Sequence, residues 1–352
     1  MKKTVCILLI FISVCALTLT SCTNDGDTFT TPAVTDTEAA TVWQTDTEPE
    51  TDPVTTAPRT ETEPATESET EPPAPSPYGM FGYDGNKINV SVSSPYAILI
   101  DANTNEILYI TGDPEARIYP ASTTKLLTAI VAIKNCPTDE VFKPGDELSL
   151  VAKDSSVAYV KKNHELSLDM LIEGMMLPSG GDAAYVVAAG VGRKIAGDET
   201  LTGTAAVSVF MDEMNRYGKE GLGLRDTHFT CPDGYHDDDH YTTLIDIMTI
   251  ARAAMSEPLI MKYAGMFKDD VRYASGHKNT WTNTNLLLDP DSKYFYENAT
   301  GMKTGTTDEA GCCLIASAAI GTKKVLAGVF GAENTKTRFN DGRTLLVVGI
   351  NR

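Results

Sequence analysis

Tyr119-Pro120-Ala121-Ser122-Thr123-Thr124-Lys125 is the stretch from which the rest of the chain is read. A helical pattern runs from Ser122 to Lys134, so Ser122 and Lys125 stand three apart in its first turn, on one face. A serine hydroxyl is a weak nucleophile until a base takes its proton. Lysine can be that base only as the neutral amine, so its pKa must fall from about 10.4 toward about 7–8. Burial and a second cation close by produce such a shift. The helix N-terminus also favours negative charge developing at Ser122. Taken alone, Ser-x-x-Lys equally fits a capping serine beside a solvated lysine, so the reading needs partners elsewhere in the chain.

Two further stretches supply them. Pro178-Ser179-Gly180-Gly181-Asp182 stands just before another helical pattern, where a serine can pass protons between a lysine and a leaving amine. On its own it would be a turn and an N-cap. Lys303-Thr304-Gly305-Thr306-Thr307 is read as standing just before a strand. A cation and hydroxyls on an exposed strand edge suit a substrate carboxylate, and the edge backbone can pair with an extended peptide. Gly305 lets that peptide approach closely.

Around these motifs the pattern is α+β. Tyr96–Ile100 and Glu106–Ile110 flank the polar turn Asp101-Ala102-Asn103-Thr104-Asn105, which predicts strand, turn and strand. Helical patterns follow over Leu168–Met176, Asp182–Ile195, Thr204–Tyr217 and Thr243–Met255, with Thr204 and Thr243 as N-caps. Cys313–Ile320 and Lys324–Phe330 predict strands around Gly321-Thr322, and Phe339–Ile350 a closing helix. Strands at both ends with helices between them imply a sheet whose terminal segments pair.

The order Ser-x-x-Lys, Ser-Gly-x, Lys-Thr-Gly resembles that of penicillin-binding proteins and serine β-lactamases. Further stretches narrow the resemblance to the low-molecular-mass D-Ala-D-Ala carboxypeptidases, the peptidase S11 family. They include Ile98-Leu99-Ile100-Asp101, Met214-Asn215, Pro232-Asp233-Gly234-Tyr235-His236, Thr282-Asn283-Thr284-Asn285 and Gly301-Met302-Lys303-Thr304-Gly305. The resemblance covers Pro95 to the C-terminus. It implies a β-lactamase/transpeptidase-like fold, an antiparallel sheet flanked by helices with a mostly helical subdomain. It implies Ser122 as the acylated nucleophile, Lys125 as general base and Ser179 as an aid to proton transfer. It places the substrate carboxylate at Lys303, Thr304, Gly305 and Thr306, and the oxyanion hole at the backbone N–H groups of Ser122 and Thr306. One such donor is worth roughly 3–4 kcal/mol of barrier. The substrates would be peptidoglycan stem peptides and the inhibitors β-lactams, with no cofactor and no metal.

Two departures stand out. The family's second motif usually ends in Asn, where this chain has Gly181; Asp182 and Asn163 are the candidates to fill the gap. A β-rich domain often follows the catalytic one, and here the sequence stops at Arg352. Two alternatives stay open: a serine β-lactamase, and a catalytically weak wall-binding relative. The β-lactamases most similar carry a Glu-x-x-x-Asn after the second motif, and none occurs between Asp182 and Tyr235.

The N-terminus reads as an address and an anchor. Lys2 and Lys3 precede an apolar run from Val5 to Leu19, shorter than the roughly 20 residues that span a bilayer. Leu19-Thr20-Ser21-Cys22 resembles a lipobox, which predicts a signal peptide over 1–21 and lipidation at Cys22. Residues 22–78 then form a linker rich in Thr, Glu and Pro, too poor in apolar residues to fold. The catalytic domain is assigned to 79–352, held at the outer face of the bacterial membrane and reaching into the wall. A net charge of −19 argues against nucleic acid as a partner. Cys136, Cys231, Cys312 and Cys313 are expected as buried free thiols, and His236-Asp237-Asp238-Asp239-His240 as a solvated loop, not a metal site. Trp281 is expected to pack beside the Lys-Thr-Gly strand.

Overall fold

Alternate residues of Tyr96-Ala97-Ile98-Leu99-Ile100-Asp101 feed two different cores. Ala97 and Leu99 join one and Ile98 and Ile100 the other, because successive side chains of a strand point to opposite faces. The computed structural model describes residues 76–352. The apolar leader, Cys22 and most of the Thr/Glu/Pro-rich segment lie outside the described residues.

Strands β1 (Tyr96–Asp101) and β2 (Glu106–Thr111) open the domain. The Asp101 carboxylate accepts the N–H groups of Asn103 and Thr104, which shapes the turn between them. Three short ribbons thread the middle of the chain. β3 (Arg117–Ile118) pairs with β6 (Thr242–Thr243), β4 (Val141–Phe142) with β5 (Leu166–Ser167), and β7 (Lys268–Arg272) with β8 (Lys278–Thr282). Among them run helices α1 (Lys125–Asn135), α2 (Leu168–Met176), α3 (Gly181–Ala196), α4 (Gly203–Arg216), α5 (Leu244–Ala254) and α6 (Pro258–Ala264). Strands β9 (Ala299–Thr307), β10 (Gly311–Ile320) and β11 (Lys323–Ala332) then lead to α7 (Thr335–Ile350).

The main sheet is antiparallel in the order β2-β1-β11-β10-β9. The first strand therefore pairs with the last, as the terminal patterns implied. One face packs on Phe339, Leu345, Leu346 and Ile350 of α7. The other, through Ile98, Ile315 and Leu326, shares a core with Leu126, Ile130, Ile247 and Met248 of the helical part. Burial on both faces explains why β10 and β11 read as nearly continuous apolar runs.

Several local expectations change. Ser122 lies in a 3₁₀ turn, Ala121–Thr124, and the α-helix starts only at Lys125. The cap of α4 is Thr202, whose side chain accepts the Ala205 N–H; Thr204 is already inside the helix. Thr243 does cap α5, accepting the Asp246 N–H. Lys-Thr-Gly lies within β9 and not ahead of a strand. The closing helix begins at Thr335, four residues before the predicted Phe339. Trp281 packs near Gly174 and donates its indole N–H to the Ala158 carbonyl at 3.0 Å. The four cysteines of the described part are free thiols, but Cys231 is only partly buried.

One buried acid lies away from the three motifs. Glu173 of α2 is 4% exposed, and its pKa is raised from 4.5 to about 8 by burial, then by the neighbouring carboxyls of Asp269 and Asp169. Between those two pH values the folded chain holds a proton that the unfolded chain has released. Stability therefore falls as pH rises through that window. Glu173→Gln keeps a donor toward Asp269 and removes the titration. Thermal melts should show a higher Tm than the parent at pH 8 and convergence of the two near pH 4.

Candidate active site

The nucleophile candidate sits on a bent support. Ala121, just before Ser122, has φ 46°, a left-handed conformation that costs a residue with a Cβ about 1–3 kcal/mol. A hydrogen-bond chain supports this turn. The Thr124 hydroxyl donates to the Ala121 carbonyl at 2.8 Å and lies 2.9 Å from His240 Nε2. His240 Nδ1 accepts the Thr230 N–H at 3.1 Å, so Nε2 carries the proton and donates to Thr124. Burial lowers the His240 pKa to about 4, which keeps the ring neutral. His240 thus braces the Ser122 turn and is no part of a solvated loop. His236 of the same segment lies edge-on to the Tyr119 ring.

Lys125 follows Ser122 into the helix and is 1% exposed. Its Nζ is 2.9 Å from Ser122 Oγ and donates to the Asp233 backbone oxygen at 2.6 Å. Burial lowers its pKa, and the nearby Asp233 opposes the shift. Lys303 is equally buried, not exposed on the strand edge. Its Nζ donates to Ser179 Oγ at 2.8 Å and to the Thr304 carbonyl at 3.0 Å. Burial, with Lys125 and Arg338 as neighbouring cations, holds its pKa well below the usual lysine range. Ser122 is thus joined to Lys125 and Ser179 to Lys303, with Lys125 near enough to Lys303 for its charge to act there.

What sets the space beside Ser122 is the approach of β9 to its turn. A Cβ added to Gly305 would lie 2.8 Å from the Ser122 nitrogen and 3.1 Å from the Pro120 carbonyl oxygen. Neither is a flexible side-chain end, so only glycine fits at this contact. Among the described residues β9 is also an edge strand, with β10 on one side only. It carries a bulge: Gly301 faces Ser317 and Ala299 faces Ala318, leaving Thr300 as the extra residue. Met302, next to Lys303, has φ 100°, and Ser179 has φ 60°. Of the five described non-glycine residues with positive φ, three are Ala121, Ser179 and Met302. Strain therefore concentrates at the site residues and their neighbours.

The hydroxyls of β9 face other partners. Thr304 Oγ1 is 2.5 Å from Thr284 Oγ1. Arg338 of α7, buried, donates from Nη1 to the Gly305 carbonyl at 3.1 Å and to Thr306 Oγ1 at 3.0 Å. A guanidinium keeps its charge in proteins, so Arg338 is the fixed cation at this end of β9 while Lys303 is driven toward the neutral amine. Sequence reasoning missed Arg338 because it left residues before Phe339 outside the last helix. Asn334, which caps α7 by accepting the Thr337 N–H, was the available signal.

Neither candidate for the gap at Gly181 fills it. The Asp182 carboxylate accepts the N–H groups of Ala158, Val160 and Ala183, at 2.7, 2.7 and 2.9 Å. Asn163 is exposed and lies 3.3 Å from His277 Nε2. The space is taken by Asp233, whose Oδ2 would be 2.7 Å from a Cβ at 181.

Known proteins resemble this chain in sequence and fold. The family profile described as D-alanyl-D-alanine carboxypeptidase matches residues 85–334. The chain is 30% identical over 246 residues to D-alanyl-D-alanine carboxypeptidase DacF of Bacillus subtilis (strain 168), covering 69% of this chain and 58% of that one. It is 30% identical over 255 residues to the D-alanyl-D-alanine carboxypeptidase of Streptomyces sp. (strain K15), covering 70% and 83%. The solved Streptomyces K15 DD-transpeptidase superposes with a TM-score of 0.67 at 29% identity, covering 74% of this chain and 98% of that one. Penicillin-binding protein D2 of Listeria monocytogenes, in a cefotaxime-bound form, gives 0.60 at 26% identity, covering 74% and 99%. The α+β fold expected from the sequence is the fold of these structures. The chain spans 58% of the length of the Bacillus relative.

Gly305→Ala is expected to push β9 off the Ser122 turn. Reactivity of Ser122 toward a β-lactam, followed by intact mass, should fall by about a hundredfold or more. Denaturant unfolding should lose only about 1–3 kcal/mol, the usual cost of overpacking.

Proposed function

We propose that this chain, a member of the D-alanyl-D-alanine carboxypeptidase family, removes the terminal D-Ala from peptidoglycan stem peptides through an acyl-enzyme on Ser122. The observation that carries the reading is a buried lysine amine 2.9 Å from the Ser122 hydroxyl, on a turn pressed against an edge strand. The peptide lies extended along β9, pairing with its free edge. The C-terminal carboxylate of D-Ala meets the hydroxyls of Thr304 and Thr306, with Arg338 behind them.

Ser122 Oγ attacks the carbonyl carbon of the D-Ala-D-Ala bond as Lys125 takes its proton. The oxyanion is held by the N–H groups of Ser122 and Thr306. Lys125 then gives that proton, relayed through Ser179, to the departing amine; the C–N bond breaks, D-Ala leaves and Lys125 is neutral again. Water then attacks the ester carbonyl as Lys125 takes its proton; the bond to Ser122 Oγ breaks, Lys125 passes the proton to Oγ, and the shortened peptide leaves with a new carboxyl group. Lys125 acts as base only when neutral, so acylation falls as acid protonates it. β-Lactams acylate the same serine and leave slowly. In the full chain Cys22 is lipidated and the linker carries the domain from the outer face of the membrane into the wall; the short apolar run ending at Leu19-Thr20-Ser21-Cys22 supports this.

Penicillin should add one adduct by intact mass, absent from Ser122→Ala, and D-Ala release from a stem pentapeptide should vanish in the same variant. Nitrocefin should give a slow, stable adduct; fast turnover would make the chain a β-lactamase. No adduct on the parent would leave the chain a wall-binding relative without a working nucleophile. Metabolic labelling of the full chain with a fatty acid should mark the parent and not Cys22→Ser.

A further inference from the structure

The reaction just described leaves one buried carboxylate on the cleft wall without a part. Asp233 lines the cleft beside Ser122 and Lys125 and is 3% exposed. Its side chain is held by long contacts: the Ser155 hydroxyl donates to Oδ2 and the Tyr235 N–H to Oδ1, both at 3.3 Å, and the Cys231 thiol lies beside it. A buried carboxylate with two long hydrogen bonds is costly unless a positive charge offsets it. Its backbone oxygen already accepts Lys125 Nζ at 2.6 Å. Gly181 makes the room, since a Cβ there would lie 2.7 Å from Asp233 Oδ2. A missing side chain on α3 and a carboxylate from the loop ahead of β6 are thus complementary in space.

We infer that Asp233 is a positioning residue for Lys125: its backbone oxygen orients the amine, and its carboxylate, standing where a side chain at 181 would project, stabilises the ammonium formed when Lys125 takes the Ser122 proton. The inference rests on the carboxypeptidase reading above. Several groups surround Lys125. Ser122 lies on its own turn, Cys231 and Asp233 on the loop, Asp182 on α3 and Lys303 on β9, while Tyr185 of α3 faces Asp233. The Cys231 thiol is pushed up to about 12 by burial, so it carries no charge at neutral pH. Lys303 is driven toward the neutral form. The Asp182 carboxylate is engaged by three backbone N–H groups. Asp233 is left as the acid facing the base. Burial lowers the Lys125 pKa, and Asp233 makes the amine a better proton acceptor than burial alone would leave it.

Asp233→Asn preserves shape and backbone oxygen and removes the charge. The rate of Ser122 acylation by penicillin is measured across pH, with thermal melts alongside. The rising limb, where Lys125 loses its proton, should move to lower pH in the variant, and the plateau should fall about fivefold. Gly181→Ala, which crowds the carboxylate aside without removing it, should move the limb the same way. In the Asp233→Asn background it should add no further shift. If the parent acylates and the Asp233→Asn limb superimposes on it, the role of Asp233 is overturned while the carboxypeptidase reading stands. A lowered Tm with an unmoved limb likewise makes the residue structural only. A parent that forms no adduct overturns both.

Discussion

The seating of Gly305 on the Ser122 turn is the contact from which the rest of the site follows. Backbone meets backbone there, so the gap is set by the main chain and not by adaptable side chains. Ala121 takes a left-handed conformation to present Ser122, and the Thr124–His240 chain holds it in place. In β9, the bulge and the left-handed backbone of Met302 come just before Lys303, whose amine reaches Ser179. Such conformations persist only where surrounding structure over-determines them. Here the surroundings are a sheet buried on both faces and a helical core.

Burying two lysines in one small space has a consequence that neither would have alone. Desolvation disfavours the ammonium at each, and proximity of like charge adds to the effect at Lys303. The protein places its permanent cation, Arg338, on the far side of Gly305 and Thr306. Two buried amines and one buried guanidinium thus differ in how firmly they hold their charge. Lysine can lose its charge on burial, whereas a guanidinium keeps it.

The loop from Pro232 to His240 knits these parts together. Its Pro232 carbonyl accepts the Thr128 hydroxyl, its Asp233 carbonyl accepts Lys125, and His240 reaches Thr124. A run of His and Asp that looks like solvated charge is therefore partly core. The signal was weak in the sequence because His240 is joined to its partner across 116 residues, a separation no local pattern encodes.

The sequence by itself determined what local periodicity and spacing govern. Alternation in Tyr96–Asp101 and the apolar runs near residues 313–330 specified a sheet made from the first and last strands, and the three-residue spacing of Ser122 and Lys125 brought their side chains together, although Ser122 stands in the 3₁₀ turn ahead of the helix. Tertiary structure decided whatever depends on neighbours distant in the chain. β9 was hidden because its Gly- and Thr-rich, bulged course has no period of two. The space at Gly181 went to Asp233 and not to Asp182, because three backbone N–H groups already hold Asp182. The charge state of Lys125 is likewise a property of its burial, and burial exists only once sheet and helices have closed around it.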